Sequence, residues 1–125
     1  MRVKTWLCIA TINGALAVAL GAFGTHALSG KLDPHLFNAF DTAARYQMYH
    51  ALALGLTALA MREGAGGIAK CAAACFFLGI ILFSGSLYAF ALTGERMFAL
   101  VTPFGGGLFL AGWVLLAWAA ARMKA

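Results

Sequence analysis

Four long apolar runs constrain this chain more than any other feature: Trp6 to Phe23, about Ala43 to Met61, Cys71 to Leu92, and Phe104 to Ala121. A bilayer core about 30 Å thick is crossed by a helix of about 20 apolar residues. Each run meets or approaches that length. The runs are continuous and lack the period-two alternation of a barrel strand, and a helix satisfies its own backbone in hydrocarbon. The expected fold is therefore all-α: a four-helix transmembrane bundle forming a single integral-membrane domain over residues 1–125, with spans at about 6–23, 43–61, 71–92 and 104–121. Composition agrees, at 63% hydrophobic and 10% charged. Soluble domains run at roughly 45–50% and 25%, and a soluble domain of this length cannot hide so much apolar surface.

Arg2 and Lys4 before an apolar run imitate a signal peptide. The run is longer than a usual signal core and three more follow it, so it reads as a first span. The scarce charges then orient the chain. Arg2, Lys4, Arg62, Lys70, Arg122 and Lys124 flank the tails and the second connection, while Lys31, Arg45 and Arg96 flank the first and third. Six cations against three place both termini and the second connection in the cytoplasm. The net charge of +5 is a topology signal and an attraction to anionic lipid. No basic run or aromatic-basic stripe points to nucleic acid. By this topology Cys8, Cys71 and Cys75 lie toward the reducing side and read as small apolar residues rather than ligands.

The connections carry local signals. Asp33 and Pro34 suit the N-cap and first position of a helix. Leu36, Phe37, Phe40 and Ala44 follow on one face, with His35, Asn38, Asp41, Thr42 and Arg45 on the other. This makes an amphipathic outer segment before, or continuous with, the second span. Arg62 to Gly67 and Thr93-Gly94 are glycine-rich helix ends. Glu95 to Val101 is expected as a short interfacial connection, with Thr102-Pro103 opening the fourth helix. Small residues mark packing faces: Gly14 and Gly21 in the first span, Gly79 and Gly85 in the third, and Gly105, Gly106 and Gly112 in the fourth. A homo-oligomer or a larger membrane complex are further uses of such faces.

Ordered motifs run through nearly the whole chain. They are Gly21-Ala22-Phe23-Gly24-Thr25-His26-Ala27-Leu28, Arg45-Tyr46-Gln47-Met48-Tyr49-His50-Ala51-Leu52-Ala53-Leu54, Leu82-Phe83-Ser84-Gly85-Ser86-Leu87-Tyr88, and Thr102-Pro103-Phe104-Gly105-Gly106 with Gly112-Trp113. Together they resemble the domain-of-unknown-function family numbered 423, small bacterial inner-membrane proteins related to a eukaryotic small transmembrane protein. The resemblance implies a multi-span protein of the bacterial inner membrane and carries no catalytic residues.

His26, Asp41, Arg45, Tyr46, Tyr49 and His50 are expected near the outer ends of the first two spans. Ionisable groups at membrane depth need partners, so the preferred reading is a structural hydrogen-bond cluster. A small-molecule or lipid-headgroup site, a metal site from His26, His50 and Asp41 or Glu95, and proton transfer through histidine are weighed behind it. Asn13 reads as glue between helices. Tyr88, Trp113, Trp118 and Trp6 read as aromatic anchors at interfaces or between helices. No haem-attachment, phosphate-loop, serine-hydrolase or zinc-protease motif occurs, and no cofactor or metal is implied. The function expected is that of a non-enzymatic accessory, scaffold or lipid-interacting membrane protein, with membrane lipids as its partners. A small oligomeric transporter or channel is the alternative.

Overall fold

The computed structural model describes residues 2–123; Lys124, one of the orienting charges, lies outside them. Helix is the only regular structure among the described residues. Helix α1 spans Val3–Phe23 and continues into a wide π-type turn, Gly24–Leu28. Helix α2 spans Pro34–Ala60. A second wide turn, Met61–Ala65, leads to α3, Gly66–Gly79, and a third, Ile80–Gly85, joins α3 to α4, Ser86–Thr93. Helix α5 spans Arg96–Ala121.

Three helical stretches are long and apolar enough to cross a membrane: Val3–Leu28, Pro34–Thr93 and Arg96–Ala121. Four separate spans were expected, but the second and third are joined in one 60-residue stretch. The joint bends sharply, because Glu63 and Gly64 leave helical geometry and Gly64 has φ 94°. Glycine enters that left-handed region without the penalty a Cβ brings. The chain doubles back there. Ser84 Oγ donates to the Ala43 carbonyl at 2.8 Å, and the Phe40 and Tyr88 rings meet at 4.9 Å between centroids. Residues so far apart in sequence would stand about 60–70 Å apart on a straight helix. Glu63 and Gly64 lie midway between these partners.

Gly94 reverses the chain again. It sits at φ 75° and its N–H donates to the Phe90 carbonyl at 2.7 Å, a left-handed helix cap. Ser86 then meets Thr102, Phe83 meets Gly105, Gly79 meets Phe109, and Phe76 meets Gly112. Every pair is centred on Gly94, so α5 runs antiparallel to α3 and α4. Helix α1 runs antiparallel to α2 in the same way, with Gly24 under Phe40 and Gly21 beside Ala44.

Lipid tails are as apolar as leucine, so close packing rather than water release draws such helices together. The closest approach is at Gly105, where a Cβ would overlap the backbone nitrogen of Phe83. At Gly112 a Cβ would fall 2.7 Å from the Phe76 ring, and at Gly79 it would press into the Phe109 ring. The other glycines expected on packing faces are less constrained. A Cβ at Gly21 or Gly106 would make ordinary contacts at 3.9 and 3.8 Å, one at Gly85 would come no nearer than 4.0 Å to Ile80 O, and one at Gly14 would meet nothing within 4 Å. Gly14 therefore sets no close approach within the chain.

One local expectation is corrected, and of the two placements expected for the outer amphipathic segment the continuous one is found. Helix α5 starts at Arg96, after Glu95, so Met97 to Val101 are helical and Pro103 lies inside the helix. Pro103 removes the donor to the Ala99 carbonyl, a loss that helices of membrane proteins tolerate through local readjustment. The outer amphipathic segment is the first part of one unbroken α2. Asp33 stands at its N-cap with Pro34 following, but its side chain makes no capping bond. Phe40, on the apolar face, is fully buried against Gly24 and Tyr88. On α5, Met97, Leu100, Phe104, Leu110 and Val114 point away from the rest of the chain, each about 70% exposed.

Gly105→Leu is expected to weaken the packing of α5 on the Ile80–Gly85 turn by about 1–3 kcal/mol. Gly107→Leu, at a position with open space around it, is expected to change stability little. Unfolding in mixed micelles measures both, and equal losses would refute the close approach at Gly105.

Candidate functional site

Midway along α2, His50 is buried, at 4% exposure. Trp113 Nε1–H donates to His50 Nε2 at 3.1 Å. That leaves Nδ1 to carry the proton and donate to the Tyr46 carbonyl at 2.7 Å. His50 is thus a neutral imidazole with both nitrogens engaged. The Phe109 ring lies flat on it, 3.5 Å between centroids and 4° between planes. Tyr46 stacks on Phe83 at 4.8 Å. Together with Tyr49, Gly106, Leu110 and Trp113 these rings line an open groove of about 370 Å³. Its wall is aromatic and aliphatic, and its one buried titratable group is already saturated.

A second buried set ties α1, α2 and α4 together. Asn13 Nδ2 donates to the Ile9 carbonyl at 2.9 Å, within its own helix. Gln47 Nε2 donates to Asn13 Oδ1 at 3.1 Å, and Tyr88 O–H donates to Gln47 Oε1 at 2.7 Å. Asn13 therefore acts as glue between helices, through a partner that the sequence did not single out. Tyr88 points inward to Gln47, the between-helix placement of the two expected for it. Ser84 on Ala43 O and Ser86 on Thr102 Oγ1, at 2.6 Å, complete the inward polar contacts of the Ile80–Gly85 turn and of α4. Among the described residues Trp6 Nε1 is the one buried side-chain nitrogen or oxygen without a partner.

Of the six residues expected to form one polar corner, five lie on α2 and divide between an ion pair and an aromatic groove, while His26 stands apart. Asp41 and Arg45 pair with each other at 2.5 Å on an exposed face of α2. Tyr46, Tyr49 and His50 belong to the aromatic groove. His26 is exposed in the turn after α1, and it is not among the partners of His50. His35 lies against Phe90, at 6.1 Å between rings. The three histidines therefore occupy three places. No group of three or more His, Cys, Asp or Glu side chains suited to a metal occurs among the described residues. Gln47 and Ser84 were legible in principle: a polar side chain inside an apolar run requires a buried partner.

Long apolar helices, inward polar groups consumed by one another and large side chains turned outward define an α-helical membrane protein. A family model described as "Protein of unknown function (DUF423)" matches residues 20–106, and the chain belongs to that family. The UPF0382 membrane protein SERP0230 of Staphylococcus epidermidis is 41% identical over 114 residues, covering 90% of this chain and 92% of that one. The UPF0382 membrane protein YwdK of Bacillus subtilis is 38% identical over 120 residues, 95% of this chain and 98% of that one. The UPF0382 inner membrane protein YgdD of Escherichia coli K12 is 41% identical over 124 residues, 99% and 95% of the two chains. None of these names states an activity. No solved structure matches the chain.

Gln47→Leu and Tyr88→Phe are each expected to destabilise the chain, with a coupling energy of about 0.6–1.7 kcal/mol in a double-mutant cycle, the range seen for hydrogen bonds between membrane helices. Strictly additive losses would show that the Tyr88–Gln47 bond contributes nothing. Trp113→Phe strands His50 Nε2 and is expected to cost about 1–3 kcal/mol, measured by unfolding in micelles.

Proposed function

We propose that this chain is a non-enzymatic four-helix transmembrane bundle of the bacterial inner membrane, with both termini cytoplasmic, acting as a lipid-interacting scaffold or accessory protein. The four spans are the helical segments on either side of the three reversals near Gly30, Gly64 and Gly94. The single observation that carries the functional reading is the Tyr46–Trp113 groove. It is open, apolar and aromatic, and its histidine has no free nitrogen for acid–base work or for a metal. A hydrocarbon chain satisfies such a wall, and a polar substrate does not. A solute path would need inward polar groups open to the solute, whereas Asn13, Gln47, Tyr88, Ser84 and Ser86 are committed to one another or to backbone carbonyls.

The orientation is supported by the way Arg2, Lys4, Arg62 and Lys70 collect around one end, where Met123 also packs beside Ala60. Cations gathered at one end mark the cytoplasmic side.

Two outcomes follow. A C-terminal alkaline phosphatase fusion is expected to be inactive and a C-terminal green fluorescent protein fusion bright; the reverse pattern overturns the orientation. Protein purified in mild detergent is expected to carry phospholipid visible by native mass spectrometry, and Gly106→Phe, which fills the groove from its wall, is expected to retain one lipid fewer per chain. Equal retention refutes the groove as a lipid site. Dimerisation lost on the same substitution assigns the groove to a second copy instead.

A further inference from the structure

Among the described residues the surplus positive charge sits at one end of the molecule. Arg2, Lys4, Arg62 and Lys70 line its grooves and Arg122 closes α5 there, with Glu63 as the one Asp or Glu among the described residues of that end, whereas at the opposite end Lys31, Arg45 and Arg96 are balanced by Asp33, Asp41 and Glu95. The charged end is grooved. One groove of about 570 Å³ is lined by Arg2, Val3, Met61, Gly66 and Lys70. Another, of about 550 Å³, is lined by Lys4 and Arg62 at its head and by Val3, Leu7, Cys8 and Thr11 along α1. Val3 forms a wall of both.

Each groove thus draws one cation from the start of α1 and one from the segment around the α2–α3 reversal, and places both above an apolar floor. These four side chains are exposed. The one ion pair among the described residues is Arg45–Asp41, at the other end, so none of the four has a carboxylate within 4.0 Å there. Two like charges lining one groove repel one another, and an anion between them relieves the repulsion. Below the Lys4–Arg62 pair the floor continues down α1 through Leu7 toward the membrane interior. A free inorganic anion would use the cations and leave that floor empty. A phospholipid uses both.

We propose that these two grooves bind the headgroups of anionic phospholipid, one phosphodiester at Arg2–Lys70 and one at Lys4–Arg62, with an acyl chain lying along Leu7 and Thr11. The inference rests on the chain being a lipid-embedded protein. It concerns a surface separate from the Tyr46–Trp113 groove, so the two are tested apart. Basic pockets between helices at the membrane surface are known to select anionic lipid, and each cation near such a surface strengthens binding about fivefold.

The test is native mass spectrometry of the full chain in mild detergent, titrated with phosphatidylglycerol and, separately, with phosphatidylcholine. The expected result is preferential retention of up to two phosphatidylglycerols. Lys4→Gln with Arg62→Gln is expected to remove one of them, and Arg2→Gln with Lys70→Gln the other, each pair weakening its site about 25-fold, the product of two such losses. Arg45→Gln with Arg96→Gln changes the net charge equally at the opposite end and is expected to leave retention intact. Equal losses from that control pair would reduce the effect to net charge and overturn the proposal. So would equal retention of the two lipids, or complete displacement by millimolar inorganic phosphate. Helical circular dichroism confirms that each variant is folded. A wild-type chain that keeps no lipid of any kind defeats the lipid reading as a whole; one that keeps lipid without preference defeats only this proposal.

Discussion

Hydrocarbon offers no hydrogen bonds, and that absence governs how this chain packs. A polar side chain turned inward needs its partner within the protein, and among the described residues Trp6 Nε1 is the one buried side-chain nitrogen or oxygen that lacks one. The partners found are few and directional: Gln47 between Asn13 and Tyr88, Trp113 on His50, Ser84 on the Ala43 carbonyl, and Ser86 on Thr102. Each link crosses from one helix to another, so each fixes a register. The close glycine contacts follow from the same alignment. With Ser86 opposite Thr102, Phe83 must lie over Gly105, and only a residue without Cβ fits there.

That economy shapes what the protein can do. His50 is the sole buried ionisable imidazole, and it is committed on both sides. It serves as a structural post between α2 and α5 and gives the aromatic groove its floor. Among the described residues the charged side chains lie toward the two ends, one end balanced and the other strongly positive. What stays open at the surface is an aromatic groove lined by Tyr46 and Trp113 and two grooves lined by cations.

Much of the fold was legible because its cause is local. Apolar runs of span length give helices, and Gly64 and Gly94 give reversals where the sequence breaks. The charges sort by end as the apolar pattern requires. What the sequence hid is relational. Pro103 looked like a helix start, yet the helix begins at Arg96, with Glu95 at the N-cap position and no side-chain capping bond. His26 and His50 looked like neighbours because their spans are neighbours, but His50 lies some 24 Å along α2 from Pro34 at 1.5 Å per residue, facing α5 rather than the first loop. Gln47 sat inside a motif and drew no attention, since a pairing with Asn13 and Tyr88 exists only once three helices are in register. Gly14 and Gly105 look alike in sequence and differ entirely in what a Cβ would meet.

The central claim is the register that these inward links impose, and cysteine cross-linking in native membranes tests it most directly. In a background with Cys8, Cys71 and Cys75 replaced by serine, Ser86→Cys with Thr102→Cys is oxidised and digested, and linked peptides are sought by mass spectrometry. The account predicts a disulfide between positions 86 and 102 and none when Val101→Cys replaces Thr102→Cys. A bond to position 101 with none to 102, or no bond to either, would contradict it.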